Sequence, residues 1–170
     1  MNFNSSPLTV LSKAIKKQLS EDDSIFAILS SDPKRIDLQK FTSVGEDDIP
    51  IIAISAFKED FDPLNHLDDE RSEVTVLIES VFPRSLKINP EDYAYHLRHL
   101  ILGMPKITFS GGNFERLKSK TVHYVRTTIG RVPVSHIVCE MATSYDDSIE
   151  HNAPSKYFEG PKVSYDGYNA

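Results

Sequence analysis

The chain has 170 residues, 39% hydrophobic and 26% charged, so a single core can bury roughly two-thirds of the unfolded surface, and disordered or membrane-spanning compositions are excluded. Lys and Arg number 19 against 25 Asp and Glu, a net charge of −6 with histidine neutral, which argues against a dedicated nucleic-acid binder resting on clustered positive charge. The single cysteine, Cys139, excludes an intrachain disulfide and an all-cysteine metal cage.

Met1 to Val10 has no basic segment followed by an apolar run, so no secretory signal is expected. The apolar stretches of the chain have strand length, short of the ~20 residues of a membrane-spanning helix. Together these features describe a soluble, intracellular protein. Ser6–Leu19 opens with an N-cap serine and Pro7 at the first helical position. Leu8, Leu11, Ile15 and Leu19 follow at steps of three and four, leaving Lys13, Lys16 and Lys17 for the other side, the pattern of an amphipathic helix. Ser20-Glu-Asp-Asp23 is a second cap, for a short helical turn carrying Ile25, Phe26, Ile28 and Leu29 inward, which Asp32-Pro33 ends. Residues 31–48 read mostly as loop, with Val44-Gly45-Glu-Asp-Asp48 as the clearest turn signal.

Two strands come next. Ile49–Phe57 is a nearly continuous apolar run, as expected of a strand covered on both faces. In Glu73–Phe82, Val74, Val76, Ile78 and Phe82 share one face, and Thr75, Leu77, Glu79 and Val81 the less uniform other. The intervening Lys58–Ser72 is rich in acids and long for a hairpin connection, a length that often carries function. Asn89-Pro90-Glu91-Asp92 starts another helix, with Tyr93, Leu97, Leu100 and Ile101 as its buried stripe and Gly103 and Pro105 as its stop. Ser110-Gly-Gly-Asn113 reads as a turn. Thr121–Ile129 and Val132–Ser144 form a hairpin through Gly130-Arg131, a glycine position that suits a type II′ turn. Pro133 lacks a donor near the start of the last strand, which favours an edge or an early strand position. The order predicts an α+β domain over residues 1–145, a mainly antiparallel sheet with two main helices packed on one face. Residues 146–170 lose all periodicity and read as an extended C-terminal arm.

Few residues carry a chemical signature. His136 and Cys139 lie three apart on a strand, so they point to opposite faces and cannot act as base and nucleophile. His96 and His99 have helical spacing but no accompanying HExxH or ExxH pattern. Asp60, Asp62, Asp68, Asp69 and Glu70 lack the regular ligand alternation and central glycine of a calcium loop, and read as a solvated or protein-contacting loop. Gly111-Gly112 has neither phosphate-loop spacing. Arg116, Lys118, Lys120, Arg126 and Arg131 form the one basic concentration. They serve either to protect a sheet edge or to meet an acidic neighbour. No catalytic residue, metal site or cofactor is expected.

The order of elements resembles that of the tailed-phage tail terminators, also called tail-completion or tail-to-head joining proteins. The elements concerned are the helix Leu8–Leu19, the strand Ile49-Pro-Ile-Ile-Ala-Ile54, a polar connection, the strand Val74-Thr-Val-Leu-Ile78, the helix Glu91–Leu102, and closing strands through Thr128 to Thr143. The resemblance covers about residues 7 to 145 and is one of pattern, without a diagnostic motif. Residues 31–48 and the arm make this chain long for the group. It implies a homo-hexameric ring in the virion, at the tail–neck junction, assembled in the host cytoplasm. That ring would cap the tail tube protein, end polymerisation and dock a head-side connector or neck protein, with a sheath protein as a further partner in contractile tails. DNA would pass through without sequence-specific binding, and no membrane is involved. Six copies at −6 each carry −36, a balance that would repel DNA phosphates if it lined the channel.

A closed ring needs two different surfaces that meet, and the acidic 58–72 loop and the basic 116–131 hairpin offer such a pair. The four arm aromatics, Tyr157, Phe158, Tyr165 and Tyr168, gain most when buried against something, either the chain's own sheet or a neighbouring protein. Other phage neck, tube or baseplate roles fit the same pattern. A small hydrolase or nucleotide-binding enzyme with a dispersed site is the alternative of another class.

Overall fold

The structure, a computed structural model, describes residues 5–38, 44–59, 71–110 and 112–146. Helix α1 (Pro7–Ser20) begins as its sequence dictates, with the Ser6 hydroxyl accepting from the Thr9 N–H and Pro7 in the first turn. It buries Leu11, Ile15 and Leu19. Helix α2 (Asp23–Ile28) is capped by Asp22, whose carboxylate accepts from the Ile25 N–H at 2.8 Å. Ile25 and Leu29 reach the core, while Phe26 and Ile28 stay half-buried.

The main sheet comprises β1 (Ile36–Asp37), β2 (Ile51–Glu59), β3 (Arg71–Pro83), β6 (Lys118–Ile129) and β7 (Val132–Asp146), in the order β1-β2-β3-β7-β6. All neighbours are antiparallel except β1 and β2. Helix α3 (Pro90–Leu102) lies between β3 and a two-residue hairpin, β4 (Thr108–Phe109) and β5 (Gly112–Asn113). This is the expected α+β architecture, with α1 and α3 packed on one face. That face presents Ile52 and Ile54 of β2, Val74, Val76, Ile78 and Phe82 of β3, and Ile137, Cys139 and Met141 of β7 to Leu11, Ile15, Tyr93, Leu97 and Ile101. Burying a side chain of this size contributes roughly 1.5–3 kcal/mol, so this layer dominates the stability. In α3 the half-buried Leu100 flanks the stripe, and Ala94 takes the fully buried place beside Tyr93.

One expectation needs correction, and two others gain detail. The strand Ile49–Phe57 is not covered on both faces. Its second side carries Ile51, half-buried, the buried Ala53, and Phe57 at 42% exposure, because no described helix packs there. The loop over residues 31–48 is partly structured: Ile36 and Asp37 pair in parallel with Ile52 and Ala53. Lys16 Nζ donates to the Ile36 carbonyl at 2.6 Å, and Arg35 Nη1 to the Asp48 and Pro50 carbonyls at 3.0 and 3.1 Å. The Ser110–Asn113 turn closes the small β4–β5 hairpin. Gly130 takes the positive φ of +57° while Arg131 does not, as a type II′ turn requires. Pro133 occupies the second position of β7, so its missing donor falls at the start of a central strand. The expected arm over residues 146–170 lies, beyond Asp146, outside the described residues.

Candidate functional site

Strand β6 is one edge of the sheet, and it carries most of the basic residues singled out in the sequence. Lys120 reaches the helix-free face, where its Nζ pairs with Glu140 at 3.3 Å and donates to Thr75 Oγ1 at 3.4 Å. Thr121 Oγ1 donates to the same Glu140 carboxylate at 3.0 Å. Arg126 is exposed, in register with Ser135. Arg131 sits in the turn, where its backbone N–H bonds the Glu46 carboxylate. The loop before β2 is thereby tied to the β6–β7 turn across the end of β3. Arg116 and Lys118 lie at the opposite end of β6, roughly 36 Å away for a strand of this length. The five basic residues therefore form two groups along one edge, with Lys120 already neutralised within the chain.

From His123 to Thr128 this edge strand is exposed on both faces. Tyr124 and Val125, on opposite sides, are 49% and 46% exposed. Among the described residues no further strand pairs with this edge, so it presents apolar side chains on both faces beside its charged ones. The predicted acidic partners Asp60, Asp62, Asp68, Asp69 and Glu70 lie outside the described residues. Their connection leaves Glu59 and returns at Arg71, the far end of β2 and β3 from the β6–β7 turn. Tyr157, Phe158, Tyr165 and Tyr168 are also outside the described residues.

A second feature was not legible in the sequence. A groove of about 520 Å³ lies between the end of α3 and the segment leading into β6, within the ~300–1,000 Å³ range of binding clefts. Its floor is apolar, formed by Ile101, Leu102, Met104, Ile107, Phe114 and Leu117. Lys106, Arg116 and Lys118 give the rim three cations against one acid, Glu115. Phe114 belongs to a trio of rings with Phe109 and Tyr145, centroids 5.2 to 5.4 Å apart. The only sequence signal was the sparse apolar spacing of Met104, Ile107, Phe114 and Leu117, too irregular for either a helix or a strand.

The histidines and the cysteine have structural places. His96 Nε2 is 3.1 Å from both Asp22 carboxylate oxygens, tying α3 to the cap of α2. Burial alone would raise the Asp22 pKa, but the Ile25 N–H, the His96 ring and the Ser24 N–H outweigh it and hold the carboxyl below its ordinary value. His99 packs on the exposed Tyr95 ring, centroids 4.2 Å apart. His136 Nε2 meets Glu79 at 3.2 Å on the helix-free face, while Cys139 is 1% exposed on the other. Burial pushes that thiol up to about 11, so it is poorly suited to nucleophilic attack. Among the described residues, no group of three or more His, Cys, Asp or Glu is placed to hold a metal ion, and no helix is long and apolar enough to cross a membrane.

No protein-family model matches the chain, and no curated protein matches it. Among solved structures, it is similar to a chain of the virion of a native gene transfer agent particle. The likeness spans 84% of this chain and 99% of that one, with a TM-score of 0.56 at 11% identity. A second solved chain, 17% identical over 81% of this chain and 92% of its own, superposes with a TM-score of 0.42, too loosely to bear on the fold. At these identities the likeness is one of fold: the gene transfer agent chain and this one share the α+β arrangement.

Proposed function

We infer that the chain is a structural component of a phage-type particle, and that within it the chain forms a ring at the end of the tail, most simply a hexamer. In this reading the ring stops tube growth and docks the head-side connector. The observation that carries the reading is the fold shared with a virion chain over nearly the whole length of that chain, joined to the order of elements seen in tail terminators. The edge strand β6 supports it, since a ring requires each copy to offer two unlike surfaces. Arg126 and the exposed Tyr124 and Val125 suit β6 to be one of them. The acidic connection over residues 60–70 leaves the sheet at the other end of β2 and β3, and offers the complementary charge for the next copy.

Removing the gene from its phage tests the role. The expected result is unjoined heads together with tails of unregulated length. Joined particles with tails of normal length would refute the terminator role.

A further inference from the structure

We propose that the groove between the end of α3 and the Phe114–Lys118 segment is the receptor for the C-terminal arm of a neighbouring copy, with Tyr157 and Phe158 as the anchoring side chains. The inference rests on the ring reading.

Three observations converge on this occupant. The groove is apolar at its floor and basic at its rim. The chain beyond Asp146 has the matching character, with adjacent rings at Tyr157 and Phe158 followed by Glu159. Over residues 147–170 four acids, Asp147, Glu150, Glu159 and Asp166, stand against two lysines. Aromatic side chains set into an apolar cleft with opposite charges around them are how short segments anchor on a protein surface.

The third observation is length. Tyr145 lies against Phe114, in the floor of the groove, at a ring separation of 5.2 Å. Ten residues, 147–156, then precede Tyr157, and fully extended they span about 33–36 Å. A segment destined for the groove of its own copy would need almost no spacer. A spacer of this reach, comparable with the ~30 Å width of a small domain, is long enough for an arm that crosses to an adjacent copy. The contact is heterologous, a donor arm on one copy and an acceptor groove on the next, so it repeats around a ring and uses up every arm and every groove. It also gives the arm aromatics a place without requiring them for the folding of the single chain.

The test uses the full-length chain with a photoreactive residue in place of Pro105, which is exposed and lines the groove. Isotopically heavy and light copies are mixed, assembled and irradiated, and the cross-linked peptides are sequenced by mass spectrometry while negative-stain microscopy records the assemblies. The expected product joins position 105 to the peptide containing Tyr157 and Phe158, with heavy–light hybrids among the products. Tyr157→Ser with Phe158→Ser should cut its yield at least ten-fold and leave the melting temperature of the isolated copy unchanged. Six-fold rings whose cross-links stay within one copy, or reach another segment, overturn the arm proposal and leave the ring reading standing. Hybrid cross-links in assemblies other than rings support the arm contact and overturn the ring. Neither rings nor arm cross-links would overturn both.

Discussion

The Tyr93 hydroxyl donates a hydrogen bond to Ser80 Oγ across 2.8 Å, joining α3 to β3 inside the core, where the two residues are 4% and 0% exposed. Burial pushes the phenol pKa up, which favours the protonated donor. Tyr93→Phe removes the donor and leaves the Ser80 hydroxyl buried without it, at a cost of about 1–3 kcal/mol. Adding Ser80→Ala should recover part of that loss, because the pair is then absent from both sides. Denaturant melts of the two single variants and the double variant measure the coupling. A double variant as unstable as the sum of the singles would show that the bond contributes nothing.

Leu97 lies mid-stripe on α3 with 0% exposure. Leu97→Ala should cost about 2–5 kcal/mol in stability without a specific effect on assembly by the folded fraction. An unchanged melting temperature would mean that this face of α3 does not pack on the sheet.

The Asp22 carboxyl, held below its ordinary value of 3.8, stabilises the fold above that pH. A depressed acid is fully ionised in both states above its unfolded pKa, and its contribution is lost as the pH falls through the lower folded value. Asp22→Asn keeps a good helix cap but removes the charge that faces His96. The variant should therefore lose less stability than wild type between about pH 5 and pH 2. Acid-unfolding curves that stay parallel would show that the fold does not hold the Asp22 carboxyl below its ordinary value.

Much of the architecture could be read from local pattern, and where it could not the reason is physical. The caps Ser6-Pro7 and Asn89-Pro90 and the three- and four-residue apolar spacing announced α1 and α3, because those signals are local to each helix. The alternation in β3 announced its core face for the same reason. The β1–β2 pair was invisible: two residues, Ile36 and Asp37, are too few to show a period, and their pairing depends on contacts from Lys16 and on the fold of α1. The second face of β2 was not legible because an apolar residue such as Phe57 reads alike in sequence whether a helix covers it or solvent does. The basic residues 116–131 looked like one cluster in sequence and became two groups because an extended strand carries them apart. The groove was not legible because its lining residues, Ile101 and Phe114 among them, are brought together only by the packing of α3 against the entry to β6.

If the 60–70 connection carries the acidic half of the contact between copies, Asp68→Lys with Asp69→Lys and Glu70→Lys should weaken assembly and leave the single chain folded. Exposed pairs contribute roughly 0–1 kcal/mol each, so the three changes together are needed to register, and the effect should shrink at high salt. Rings of undiminished stability by negative-stain microscopy would remove this connection from the interface.

Copy number in the finished particle tests the central claim most directly, because it separates a ring at the tail end from a repeated tube component and from an enzyme outside the particle. Quantitative mass spectrometry of purified particles, calibrated on a labelled version of the chain, measures it. The ring account predicts six copies per tail whatever the tail length. Copies that rise in proportion to tail length, or none in the particle, would contradict it.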